Sequence, residues 1–218
     1  MHLVIINGSP RVQKYSNTDK ILASFVKGFC KSGNTYELYS ISNRSEWEAA
    51  KAAFENNAEI LIAIPLYVEN IPGILLEFLE TLPAKKEAGT RISFILQSGF
   101  AEGCQLRCGE AFLEKLPSYF NCTYGGTLVK GDNFGIRIMD GDTLTKMLLP
   151  YEDMGKVFAE KLGFDNEEAR AFTGPEEFSK PMQMLLQFMF KTFAKRSFKK
   201  AAKSWGCTRP IMDRPYEG

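Results

Sequence analysis

Leu3-Val4-Ile5-Ile6-Asn7-Gly8-Ser9-Pro10-Arg11 runs four apolar residues, three of them β-branched, straight into a turn. An unbroken apolar run this short suits a strand buried on both faces, as in a parallel sheet. The texture returns at Ile60-Leu61-Ile62-Ala63-Ile64 and at Ile92-Ser93-Phe94-Ile95-Leu96, with weaker strand candidates at Tyr36–Ile41 and Thr123–Val129. Between them, Ile21, Leu22, Phe25, Val26 and Phe29 recur at helical spacing, as do Ile74, Leu75, Phe78, Leu79 and Leu82. Trp47–Phe54 and Leu106–Leu116 fill the remaining gaps, and Thr143–Leu162 supplies a fifth helix. Strand and helix alternating five times predicts an α/β fold with a doubly wound, five-stranded parallel sheet. Gly174-Pro175 breaks the chain before a helical stretch of roughly Glu176–Lys203 and an irregular tail. The expected organisation is one domain over 1–165 and a C-terminal helical extension over 166–218, packed on that domain or on a dimer partner.

Ligands of open α/β sheets bind beyond the carboxyl ends of the strands, so the loops after the strong strands hold the chemistry. The first, Asn7 to Thr18, enters a helix whose unpaired N–H groups and positive dipole end attract anions. Ser9, Ser16 and Thr18 add hydroxyls and Arg11 a charge, a crowding that favours phosphate over simple capping by Ser16 or Asn17. Neither G-x-G-x-x-G nor a P-loop occurs here. The second loop brackets Leu66, Tyr67 and Val68 between Pro65 and Pro72, a stiff apolar surface suited to a flat ring. The alternative is that Tyr67 covers the sheet edge. The third, Gln97 to Gly103, has glycines that let its amides approach a polar ring edge.

Composition narrows the partners. Lys plus Arg number 27 and Asp plus Glu 26, a net charge of +1, which argues against nucleic acid. The five cysteines are odd in number and scattered, and the start lacks a signal-peptide pattern, so a reduced, soluble, cytoplasmic protein is expected. No apolar run approaches the roughly 18–20 residues of a membrane span. His2, the one histidine, sits at the start of the first strand, opposite the expected active end, and no G-x-S-x-G elbow exists, which disfavours hydrolysis. Cys104 and Cys108 lack further ligands for zinc, and no metal site is expected.

The motifs Gly8-Ser9-Pro10-Arg11 with Ser16-Asn17-Thr18, Pro65-Leu66-Tyr67 with Pro72, and Ser98-Gly99-Phe100 with Glu102 resemble those of the flavodoxin-like NAD(P)H-dependent FMN reductases. The resemblance covers roughly residues 2–165. It implies a flavodoxin-like fold, FMN as cofactor and NAD(P)H as co-substrate. The FMN phosphate would lie on Ser9, Pro10, Arg11, Ser16, Asn17 and Thr18. Its ring would lie against Pro65, Leu66, Tyr67 and Val68, with the far edge near Ser98, Gly99, Phe100 and Glu102. It also implies a homodimer and a small acceptor such as a flavin or quinone, with no catalytic side chain beyond those that hold the flavin. Two departures stand out: four residues separate Arg11 from Ser16, more than is usual, and the compact cysteine cluster of the iron–sulfur members is missing.

The competing reading is a flavodoxin-type electron carrier that binds FMN without using NAD(P)H. Carriers present an acidic face, and the balanced charge favours the reductase. Leu185–Lys203 alternates aromatic residues with cations, and packing on its own domain or a dimer partner is favoured over membrane contact.

Overall fold

The computed structural model describes residues 1–67, 70–210, 213–214 and 216, in two compact units, Met1–Glu176 and Glu177–Gly218. In the first unit five strands form one sheet: β1 (His2–Asn7), β2 (Thr35–Ser40), β3 (Glu59–Pro65), β4 (Arg91–Gln97) and β5 (Thr123–Lys130). All pairings are parallel and the order is β2-β1-β3-β4-β5. This is the flavodoxin-like strand order, which reverses direction between β1 and β3. The unit therefore has the expected α/β, doubly wound, five-stranded fold.

Alternation along the strands divides the apolar side chains between two cores. Val4, Ile6, Ile60, Ile62, Ile64, Ile92, Phe94 and Leu96 face one side, under α2 (Trp47–Asn56), α3 (Gly73–Glu80) and α4 (Arg107–Lys115). Leu3, Ile5, Leu61, Ala63, Ile95 and Leu128 face the other, under α1 (Asn17–Phe29), α5 (Gly141–Lys161) and α6 (Glu167–Phe172). Fully burying a Leu or Ile contributes about 1.5–3 kcal/mol, so the pattern on both faces fixes the register.

Helices α1 and α5 pack unusually closely. A Cβ on Gly28 would lie 1.8 Å from the Glu152 carbonyl oxygen, and one on Gly155 would lie 2.0 Å from that of Phe25. Only glycine at both points lets the two backbones meet. The Ser24 hydroxyl then donates to the Leu148 carbonyl at 2.8 Å. This seam packs the second half of α1 against α5.

Two elements depart from the sequence reading. Helix α6 was not foreseen; it belongs to the first unit because Ala169 is buried and Phe172 half-buried among Tyr151, Phe158 and Phe164. The helix expected from Glu176 begins at Lys180 instead, as α7 (Lys180–Met189). Pro181 sits in its first turn, where a missing N–H costs nothing. A single π turn (Phe190–Ala194) leads on to α8 (Lys195–Ser204).

Candidate functional site

A cleft of about 290 Å³ opens at the carboxyl edge of the sheet, where the loops after β1, β3, β4 and β5 meet. Its volume is at the small end of the roughly 300–1,000 Å³ of ligand sites. Being open, it suits a ligand that protrudes. It lies across the reversal between β1 and β3, where such sheets bind ligands.

One end is polar. Ser16 is the N-cap of α1, its hydroxyl oxygen accepting from the Asp19 amide at 3.2 Å. It is wholly buried and does not line the cleft. Capping leaves the first-turn amides of Asn17 and Thr18 without a backbone partner among the described residues, and both residues line the cleft. Ser9 and Arg11 stand beside them. Asn7 Oδ1 accepts from the Ser9 amide at 3.0 Å, and Ser9 Oγ accepts from that of Arg11 at 3.3 Å, so the loop is braced from within. The extra residues before Ser16 form a 3-10 turn, Gln13–Tyr15, closed by Tyr15 N–H to Val12 at 2.9 Å. That turn brings Tyr15 to the cleft while Arg11 stays on its wall. The side chains of Arg11 and Arg137 make no ion pair among the described residues.

The other end is apolar. Pro65 and Leu66 form its buried floor, and Tyr67, Phe100 and Phe134 rise from it exposed. Tyr67 and Asn70 exchange two backbone hydrogen bonds, at 2.9 and 3.1 Å. Between the ends lie Gln97, Ser98 and Gly99. Gln97 Nε2 donates to Thr18 Oγ1 at 3.4 Å. Of the β4-loop amides, those of Ser98, Phe100 and Gly103 are engaged by Lys130 O, Ser98 Oγ and Pro175 O. Gly99, in the cleft, keeps its amide without a backbone partner among the described residues.

The loops after β4 and β5 are stitched together. Asp132 donates to the Phe100 carbonyl at 2.7 Å and Asn133 to that of Ser98 at 3.0 Å. The chains approach so closely that a Cβ on Gly131 would lie 2.2 Å from Phe100 O. Asn133 is the keystone: its Nδ2 donates to Lys130 O at 3.0 Å, its Oδ1 accepts from the Tyr151 hydroxyl at 2.8 Å, and its carbonyl accepts from Asn17 Nδ2 at 2.9 Å. Burial drives the Tyr151 phenol well above its ordinary pKa, only partly opposed by the Asn133 bond, so it remains a donor. Burial also raises Asp19, opposed by hydrogen bonds from Ser16 and Asn7, and its Oδ2 is buried without a partner.

The cleft thus gathers Ser9, Arg11, Asn17, Thr18, Pro65, Leu66, Tyr67, Ser98, Gly99 and Phe100 of the expected set. Pro10 and Ser16 lie in the adjoining loop but off its lining, and Glu102 turns to Gln105, whose Nε2 donates to it at 3.3 Å. Val68 lies outside the described residues. The reading missed Tyr15, Gln97, Asn133, Phe134 and Arg137. Three of these follow β5, whose strand signal Gly125 and Gly126 weaken, and the segment after it, Lys130 to Asp142, reads from the sequence only as a loop. Among the described residues no cluster of His, Cys, Asp and Glu suits a metal ion.

No protein-family model and no curated protein matches the chain. Solved structures do. An FMN-dependent NADH-azoreductase from Bacillus anthracis str. Ames Ancestor, in complex with FMN, is similar over 74% of this chain and 99% of its own, at 15% identity and TM-score 0.54. An NADH:FMN oxidoreductase in its apo form matches over 78% and 93%, at 16% identity and TM-score 0.54. An NAD(P)H:quinone oxidoreductase from Methanothermobacter marburgensis matches over 74% and 98%, at 12% identity and TM-score 0.51. At these identities the likeness establishes the fold: this is a flavodoxin-like α/β protein.

Proposed function

We propose that this chain is an FMN-dependent oxidoreductase of the flavodoxin-like NAD(P)H-dependent family, passing hydride from NAD(P)H to a small acceptor such as a flavin or quinone. The observation that carries the reading is the two-ended cleft, with anion donors at one end and aromatic walls at the other. FMN has that same division between phosphate and ring. The three fold neighbours, named for NADH, NAD(P)H and FMN or quinone chemistry, agree with it.

The residues fit the cofactor. The Asn17 and Thr18 amides, the Ser9 and Thr18 hydroxyls and Arg11 would hold the phosphate, with Arg137 able to share its charge. Leu66 and Tyr67 would support the ring, and the Gly99 amide would face its polar edge. Bound FMN supplies the hydride chemistry, so the protein needs no acid or base of its own. Tyr67, Phe100 and Phe134 would orient a nicotinamide or acceptor against the ring and keep water from it. Their exposure also suits closure of the cleft by a second copy, in keeping with a homodimer. Among the described residues no helix is long and apolar enough to cross a membrane.

Steady-state assays test the activity. Purified protein with FMN should oxidise NADH or NADPH when a quinone or dye is added, with the parallel double-reciprocal lines of a shared site. An FMN-loaded protein with no turnover on either nucleotide would reassign it as an electron carrier.

A further inference from the structure

The Glu177–Gly218 unit follows different rules from the first. No residue of α7, the π turn or α8 is buried, although the segment carries Met182, Leu185, Leu186, Phe188, Met189, Phe190, Phe193 and Phe198 and ends on Trp205, which is 81% exposed. In α8 the sequence sorts cleanly. Lys195, Arg196, Lys199, Lys200 and Lys203 share one face, and Phe198, Ala201, Ala202 and Trp205 fall at i, i+3, i+4 and i+7 on the other. In α7 Met182, Leu185, Leu186 and Met189 make a similar stripe, with Lys180, Gln183 and Gln187 opposite, although exposed Met184 interrupts that polar face.

A continuous α-helix would set these two stripes well apart around the axis, since each residue turns the helix by about 100°. The π turn at Phe190–Ala194 takes up one extra residue and narrows that separation to about 60°. Lys191, Lys195, Arg196 and Lys199 surround a shallow hollow of about 470 Å³ that also touches Phe193. Between residues 178 and 210 there is no Asp or Glu.

We propose that the helical segment Lys180–Trp205 docks this protein on an anionic lipid surface, the apolar stripe entering the headgroup boundary and the cations meeting lipid phosphates. Interfacial helices combine these features: Lys and Arg on one face, aromatic and aliphatic side chains on the other, and too little apolar length to span. Charge selects this occupant over the alternatives. Two copies paired along the apolar stripe would leave the cations of the opposite face unanswered, since the segment has no carboxylate of its own. A nucleic acid would meet the cations and leave the stripe in water. The cations and the absence of carboxylates from the segment favour a lipid surface over packing on its own domain or a dimer partner, which the apolar stripe alone would equally serve.

Vesicle binding tests this without involving the flavin cleft. The chain has two tryptophans. Trp47 is buried, its Nε1 donating to the Ile41 carbonyl, so a change in emission reports Trp205. With vesicles of equal parts phosphatidylglycerol and phosphatidylcholine, full-length protein should co-sediment and its emission should shift to the blue. Pure phosphatidylcholine should give neither. High salt should weaken the binding, and Lys199→Ala with Lys200→Ala should weaken it roughly thirtyfold, at about a kcal/mol per cation near the surface. Absence of binding to anionic vesicles overturns the proposal, as does equal binding to neutral ones. A dimer in sedimentation that Phe193→Ser dissociates, without vesicle binding, would give the face to a second copy instead.

Discussion

The two ends of the sheet treat their polar groups in opposite ways. At the amino ends they are used up within the protein. Lys85 Nζ donates to the carbonyls of Phe54, Glu55 and Asn57, closing the end of α2, with the last two at 2.9 and 2.8 Å. Arg91 pairs with Glu59 at 2.8 Å, and His2 Nδ1 meets Thr35 Oγ1 at 2.8 Å. At the carboxyl ends, Arg11, Arg137 and the amides of Asn17, Thr18 and Gly99 face a cleft with no such partners among the described residues. Donors that no protein group engages and that face an open cleft are available to a ligand's acceptors. The difference between the edges therefore separates structure from binding.

Mutations at the two edges should separate accordingly. Ser9→Ala combined with Arg11→Ala should weaken FMN binding about a hundredfold or more, since hydrogen bonds to charged groups contribute about 1.5–3 kcal/mol each. Flavin fluorescence titration measures it, and unchanged affinity would remove the β1 loop from the site. Gly131→Ala should weaken FMN about tenfold, because overpacking costs about 1–3 kcal/mol and the Phe100 carbonyl must move. Tyr67→Ala should keep much of the flavin and lower turnover about five- to tenfold, in line with about 0.5–1.5 kcal/mol for an aromatic contact. Stopped-flow reduction separates the two effects.

At the amino edge, Lys85→Met should lower stability by about 1 kcal/mol in urea titrations while FMN affinity stays unchanged. A loss of FMN affinity there would break the contrast. The smallest effect lies at Asp19. Its folded carboxyl holds a proton more tightly than the unfolded one, so ionisation destabilises the fold. Wild type should match Asp19→Asn below the ordinary carboxylate range and become the less stable of the two as pH rises through it. Urea titrations at acid and neutral pH measure that gap.

How much of this was legible followed the physics of burial. Ile60–Ile64 and Ile92–Leu96 are buried on both faces and read as strands at once. β2, an edge strand with an exposed first half, gave a weaker signal, and the glycines of β5 weakened that of the strand leading to Asn133. Donors local to one loop, such as Ser9 and Thr18, were readable because helix starts have a chemistry of their own. Asn133 was not, since its role comes from Tyr151, Lys130 and Asn17, which only folding brings together. Ser16 shows the opposite limit: its residue type fits a phosphate site and a cap equally well, and the structure gives it the cap.

The central claim is that the carboxyl-edge cleft holds FMN for reduction by a nicotinamide. Its most direct test is the visible spectrum of the protein, as purified or after reconstitution with FMN, followed by NADH or NADPH without air. The account predicts a bound flavin spectrum that bleaches on addition of the nucleotide. A protein that neither carries nor takes up FMN would contradict it, and the α1 terminus with Ser9 and Arg11 would then need a different anion.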